Sequence, residues 1–219
     1  MQDTARVFNK LMVLLGYTSY VVQAGDWGSF VAREMGSKFP ECKAVHFNFL
    51  PVALEEDITD LTPREIKVKE RYQDWLDNHL GYAVLMRTRP HTIGVALTDN
   101  PVGILAWVGE KYEEAVAPGR LRDPEWDQAI LTTCALYYFS GCIMSASLPY
   151  FENVKHADFG EFFLQKENYV SVPMGYTSFL YDTRPGTKRT AQNTGRLVFY
   201  NGASLHLERI VELLFQGRT

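Results

Sequence analysis

Tyr20-Val21-Val22-Gln23-Ala24-Gly25-Asp26-Trp27-Gly28-Ser29-Phe30-Val31 is the stretch that decides how this chain folds. An apolar run of β type, Tyr20-Val21-Val22, leads straight into a carboxylate set among small residues. Beyond it Phe30, Val31, Met35 and Phe39 recur at helical spacing, and Pro40 stops the helix. A strand–turn–helix elbow has this pattern, because its sharp turn strains the central residue and closes only between small neighbours, a need that Ala24 and Gly28 meet. Asp26 would then stand at a helix N-terminus, where a developing anion is stabilised. The five residues from Ala24 to Gly28 fit a nucleophilic aspartate, and they also fit an ordinary helix-capping one.

Further along, short blocks follow in a fixed order. Gly81-Tyr82 comes first, then Arg89-Pro90-His91-Thr92-Ile93-Gly94, then Ala96 to Gly103. Trp107 with Glu110-Lys111 follows, then Tyr150-Phe151-Glu152-Asn153, and then Val172-Pro173-Met174-Gly175-Tyr176. With Gly25-Asp26-Trp27-Gly28-Ser29 ahead of them, these blocks resemble the microsomal-type epoxide hydrolases of the α/β-hydrolase superfamily along nearly the whole chain. Asn100 stands where the family usually has Ser. The resemblance implies an α/β class: a partial α/β-hydrolase fold with an inserted helical cap, the core lying in 1–50 and 151–219 and the cap in 51–150.

Roles follow from the same resemblance. Asp26 would attack an epoxide carbon to form a covalent ester, splitting one difficult hydration into two easier steps. Tyr82 and Tyr150, at the positions of the family's paired tyrosines, would donate to the epoxide oxygen as the ring opens. The peptide N–H of Trp27 would form half of the oxyanion hole. Asp182 fills the position of the carboxylate that orients the histidine base. The base itself is where the chain departs from the family: a Gly-Gly-His loop is expected, and this chain reads Asn201-Gly202-Ala203-Ser204-Leu205-His206. Ala203 and Ser204 cannot accept a proton from water; His206, about one helical turn further on, is the candidate base if a changed loop re-aims it towards Asp182 and the ester, and otherwise a helix-surface histidine.

Composition and charge bound the alternatives. With 219 residues, 46% hydrophobic and 22% charged, the chain can bury a sizeable core. A net charge of −4 without a basic stripe argues against nucleic acid as a partner. Cys42, Cys134 and Cys142 have no metal or redox spacing and lie in apolar contexts, so reduced, buried thiols are expected. The five histidines (His46, His79, His91, His156 and His206) show no ligand spacing either, so neither metal nor other cofactor is expected. The location implied is cytoplasmic, with contact to a membrane surface left open.

Ala5, Phe8, Leu11, Met12 and Leu15 have the spacing of an amphipathic helix rather than of a secretion signal. Strands are predicted near 18–24 and 43–49, then helices through 63–146, then strands at Tyr169–Pro173 and Leu197–Tyr200 and a last amphipathic helix carrying Leu205, Ile210, Leu213 and Leu214. Gln128 to Phe151 carries no formal charge and is long enough to span a bilayer, but its hydroxyl residues and Pro149 favour a buried helix with a polar side.

The family's strands ahead of the first helix have no counterpart in the sequence. The Tyr20–Ala24 strand is therefore expected to present an open edge, and a second copy or a related hydrolase-like subunit is expected to cover it together with Phe8, Leu11 and Leu15. Three readings stay open: an epoxide hydrolase acting on a small apolar epoxide, a homologue that opens or cyclises epoxides without hydrolysis, and a non-catalytic binding subunit.

Overall fold

The computed structural model describes residues 1–51, 59–117, 119, 124–155 and 168–203. It divides into two compact units, one formed by Met1–Gln73 with Gly160–Thr219 and the other by Asp74–Phe159.

In the first unit the helix α1 (Gln2–Leu14) precedes β1 (Tyr20–Ala24), α2 (Trp27–Lys38) and β2 (Cys42–Phe47). The helix α3 (Pro63–Asp74) begins the excursion into the second unit. Gly16, at φ 87°, ends α1 by taking the left-handed conformation that a glycine enters without strain. The strands β3 (Val170–Phe179) and β4 (Gly195–Ala203) complete a four-stranded parallel sheet of order β1-β2-β3-β4. This is the expected α/β class. Both later strands extend beyond the apolar runs that predicted them, because ladder pairing carries residues of poor strand propensity, such as Ser178 opposite Gly202.

The core of this unit packs Val31, Ala32 and Met35 of α2 against Val45 and Phe47 of β2 and Val170, Met174 and Tyr176 of β3. Gly36 lets the helix approach closely, since a Cβ there would lie 3.0 Å from methyl groups of both Val45 and Val170. The expected partner-facing residues Phe8, Leu11, Leu15 and Val21 are all solvent-exposed.

The second unit holds a π-helical turn (Trp75–His79), α4 (Gly81–Thr88), α5 (Pro90–Thr98), α6 (Pro101–Ala115), α7 (Pro124–Ser140), a 3-10 turn (Ser145–Ser147) and α8 (Leu148–Asn153). Pro90 and Pro101 start their helices at positions where no amide N–H is needed, and Asn100 caps α6 by accepting from Gly103 N. Leu97, Ile104, Val108, Cys134 and Ile143 form the core of this unit.

Two expectations are corrected here. The Gln128–Phe151 stretch is not a buried helix: α7 ends at Ser140, and Leu131, Leu136 and Phe139 are exposed. Apolar residues surround this helix rather than forming one stripe, so packing one side leaves others in solvent. Among the described residues no single helix is long and apolar enough to cross a membrane, although α7 and the Ser145–Asn153 segment pass by composition as a pair bent by 109°. Cys142 is exposed while Cys42 and Cys134 are buried, because it follows the exposed end of α7, where Gly141 at φ 65° breaks the helix.

Candidate active site

Asp26 is the only non-glycine residue at positive φ among the described residues, at φ 46° and ψ −131°. It lies between the end of β1 and the first turn of α2, and Ser29 N donates to its carbonyl at 3.0 Å as the helix begins. Strain of this kind persists only where the surroundings impose it, and here they can be named. Asn48 accepts from Gln23 Nε2 at 2.8 Å and packs against Gly25, where a Cβ would come within 2.5 Å of its Oδ1. The buried hydroxyl of Ser29 donates to the carbonyl of Phe49, tying the helix start to the segment after β2. Gly28 is the less demanding glycine, since a Cβ there would meet only that of Ala24, at 3.6 Å.

Solvent touches the Asp26 side chain, yet the protein atoms crowding it leave the carboxyl poorly hydrated. Desolvation raises its pKa above the ordinary aspartate value, and the donating backbone N–H of Trp27 opposes that rise. The carboxylate is held closer to neutrality without being hidden.

Asp182 follows β3 in a turn closed by its own N–H to the Phe179 carbonyl at 3.3 Å. Its Oδ1 accepts from Thr183 N at 2.6 Å and Thr183 Oγ1 at 3.2 Å, and Arg71 Nε donates to its carbonyl at 3.1 Å. Desolvation pushes its carboxyl up to about 6 against the Thr183 hydrogen bonds; the charge of Asp26 adds to the rise and that of Arg71 subtracts from it. Asp182 therefore feels the charge of Asp26. In a parallel sheet the residues just after β1 and β3 leave by the same edge, which is where such folds assemble sites.

The loop bearing Asp182 is fastened beneath. Gly186 N donates to Tyr176 Oη at 2.8 Å, Ser178 Oγ donates to the Gly186 carbonyl at 2.6 Å, and Arg64 donates to the Ser178 carbonyl at 2.8 Å. A Cβ at Gly186 would lie 2.6 Å from the fully buried Tyr176 hydroxyl, so only glycine fits there. Arg184 stacks over Tyr72 at 4.7 Å and donates to its hydroxyl at 3.0 Å.

In the second unit, α4 and α8 bring Tyr82 and Tyr150 together, with ring centroids 5.9 Å apart in an edge-to-face arrangement. Both side chains are half-buried. Lys111 Nζ lies 4.3 Å from the Tyr82 centroid. His206 lies outside the described residues. Among the described residues no three His, Cys, Asp or Glu side chains gather as metal ligands.

The parts played by Ser29, Asn48, Arg71 and Thr183 are not legible in the sequence. Each acts through a contact with a residue distant in sequence, or through a hydrogen bond to a turn, and no local motif marks such contacts.

No protein-family model matches the chain. An alignment covering 92% of the chain gives 31% identity to a putative epoxide hydrolase of Stigmatella aurantiaca, and one covering 81% of it gives 31% identity to epoxide hydrolase 1 of Oryctolagus cuniculus. The chain spans 45% and 44% of those proteins. The solved structure of Aspergillus niger epoxide hydrolase superposes with a TM-score of 0.83 at 32% identity, covering 99% of this chain and 56% of that one. By sequence and by its partial α/β-hydrolase fold, the chain belongs to the microsomal-type epoxide hydrolase family, spanning about half the length of the relatives it matches.

Proposed function

We propose that this chain opens a small apolar epoxide by covalent catalysis at Asp26 and hydrolyses the resulting ester. The observation that carries this reading is the strained backbone of Asp26 at the strand–helix elbow, with the Asp182 carboxylate near enough to feel its charge. In the first half-reaction an Asp26 oxygen bonds to a ring carbon as the C–O bond of the ring breaks. The freed oxygen takes a proton from the Tyr82–Tyr150 pair, roles these residues take from the family resemblance. In the second, water attacks the ester carbonyl while a base takes its proton, releasing the diol and restoring the carboxylate. The proton returns to the tyrosine, so epoxide and water balance to diol. Trp27 N–H already donates to the Asp26 carboxylate, which suits it to the oxyanion formed there. Asp182 orients the base, and His206 is the histidine nearest in sequence to the family's base position.

Intact-protein mass spectrometry after mixing with styrene oxide, with the diol measured in parallel, tests the reading. A transient adduct mapping to Asp26 and accumulating diol are expected. A persistent adduct without diol would remove the hydrolytic half, and neither adduct nor diol would overturn the proposal.

The coupling of the two carboxylates predicts a pH effect. Because desolvation and Asp26 raise Asp182, the folded protein holds its proton up to about pH 6. Folding therefore loses stability as pH rises from the ordinary carboxylate range through about 6, and the loss is complete above it. Esterifying Asp26 removes its charge and with it that part of the rise. The acid limb of ester hydrolysis should thus lie below the Asp182 titration of the unreacted protein, and Asp182→Asn should slow ester decay without slowing ring opening. Stopped-flow ring opening and quenched-flow ester decay, followed from about two pH units below the Asp182 titration to two above it, would check both.

A further inference from the structure

The Glu110-Lys111 pair belongs to the matched sequence blocks, yet the reaction above gives it no part. Its surroundings in the helical unit suggest one. Lys111 Nζ sits over the face of Tyr82, 4.3 Å from the ring centroid, well within cation–π range. Two carboxylates of its own helix hold it there: Glu114 Oε2 at 2.6 Å, one turn on, and Glu110 Oε1 at 2.8 Å. Lys111 and Glu114 are mostly buried, whereas Glu110 is exposed and its pairing is screened by water. Glu114 is fixed in turn, because His79 Nδ1 lies 2.9 Å from its Oε1 while His79 Nε2 lies 3.2 Å from Asp74 Oδ2.

The π-helical turn Trp75–His79 makes the last link. Hydrogen bonding from i to i+5 winds the backbone wider than an α-helix, which brings residues five apart, such as Asp74 and His79, onto one face. The result is a continuous chain of polar side chains, Asp74–His79–Glu114–Lys111, ending on the ring of a proposed proton donor.

We propose that Lys111 is a positioning residue for ring opening, acting through Tyr82 by holding a cation against its ring face. As the epoxide C–O bond breaks, its electron pair stays on oxygen and takes the Tyr82 hydroxyl proton, so negative charge spreads into the phenol ring until water returns the proton. An ammonium over the ring attracts that developing charge more strongly than the neutral phenol, so the stabilisation grows towards the transition state. The inference rests on the proposed role of Tyr82.

A double-mutant cycle tests it, using single-turnover ring opening of styrene oxide by the full chain. Lys111→Met should slow ring opening about fivefold to thirtyfold with little change in KM. The loss should persist in a Tyr150→Phe background and fall below about twofold in a Tyr82→Phe background, where no proton is left to give. Lys111→Arg, which keeps a cation able to stack on the ring, should recover most of the rate. Equal slowing with and without the Tyr82 hydroxyl would make Lys111 a structural residue and overturn the proposal, as would an unchanged rate in Lys111→Met. If Tyr82→Phe alone left the rate untouched, the role of Tyr82 would fall first, and that outcome is separately visible. Should Lys111→Met fail to fold, Glu114→Gln loosens the ammonium without removing it, and it should slow ring opening only where the Tyr82 hydroxyl is present.

Discussion

Asp26→Asn should reduce epoxide opening by at least about three powers of ten, the scale on which enzymes lose rate when the nucleophile goes. The amide is a poor nucleophile of nearly the same shape, so the first half-reaction stops and no adduct forms at this position. The fold should survive, for two reasons in the local structure. Asparagine tolerates positive φ about as well as aspartate, so the elbow geometry at φ 46° is retained. The carboxyl is also poorly hydrated, and its raised pKa means that ionisation costs stability in the folded state; a neutral amide removes that cost. A thermal midpoint equal to or above that of the parent is therefore expected alongside the lost activity. Freshly purified protein must be used, since deamidation would regenerate the aspartate. Parent-like ring opening by a variant whose Asp26→Asn change is verified intact by peptide mass would remove Asp26 from the mechanism.

The second large effect is expected from the tyrosine pair. Tyr82→Phe and Tyr150→Phe should each slow ring opening about tenfold to a hundredfold, and the double variant should slow it by about 10² to 10⁴, the range of general-acid catalysis. Both hydroxyls are proposed to serve one oxygen, so either can partly cover for the other, and the combined loss need not be the product of the single ones. Phenylalanine keeps the rings and hence the edge-to-face contact at 5.9 Å, so circular dichroism and thermal melting should be little changed. A double variant that forms adduct at the parent rate would reduce both residues to packing.

The sequence alone carried much of this. A β-type run, a carboxylate between small residues and a helical repeat predict an elbow because each signal is local: strand propensity, turn sterics and helical periodicity act over a few residues. The ordered blocks likewise led to the family, and with it to the fold class, since several short motifs in one order are specific even when each is weak. Local signals misled where burial depends on what lies opposite. Gln128–Phe151 reads as a buried helix by composition, but its apolar residues point all round, so no single packing surface covers them. Cys142 lies in an apolar run but falls just beyond the exposed end of α7.

What the sequence by itself determined is the class of the chain, the elbow and the identity of Asp26, Tyr82, Tyr150 and Asp182 as candidates. Only the tertiary structure decided how those groups are conditioned. Asp26 and Asp182 are 156 residues apart in sequence, and the charge of Asp26 reaches Asp182 because β1 and β3 lie parallel with β2 between them and send both residues to the same sheet edge. Lys111 and Tyr82 belong to different helices, and a cation reaches that ring only because α4 and α6 pack within one unit. Electrostatic energies depend on distance and on exclusion of water, and neither is fixed by the order of residues until the chain has folded.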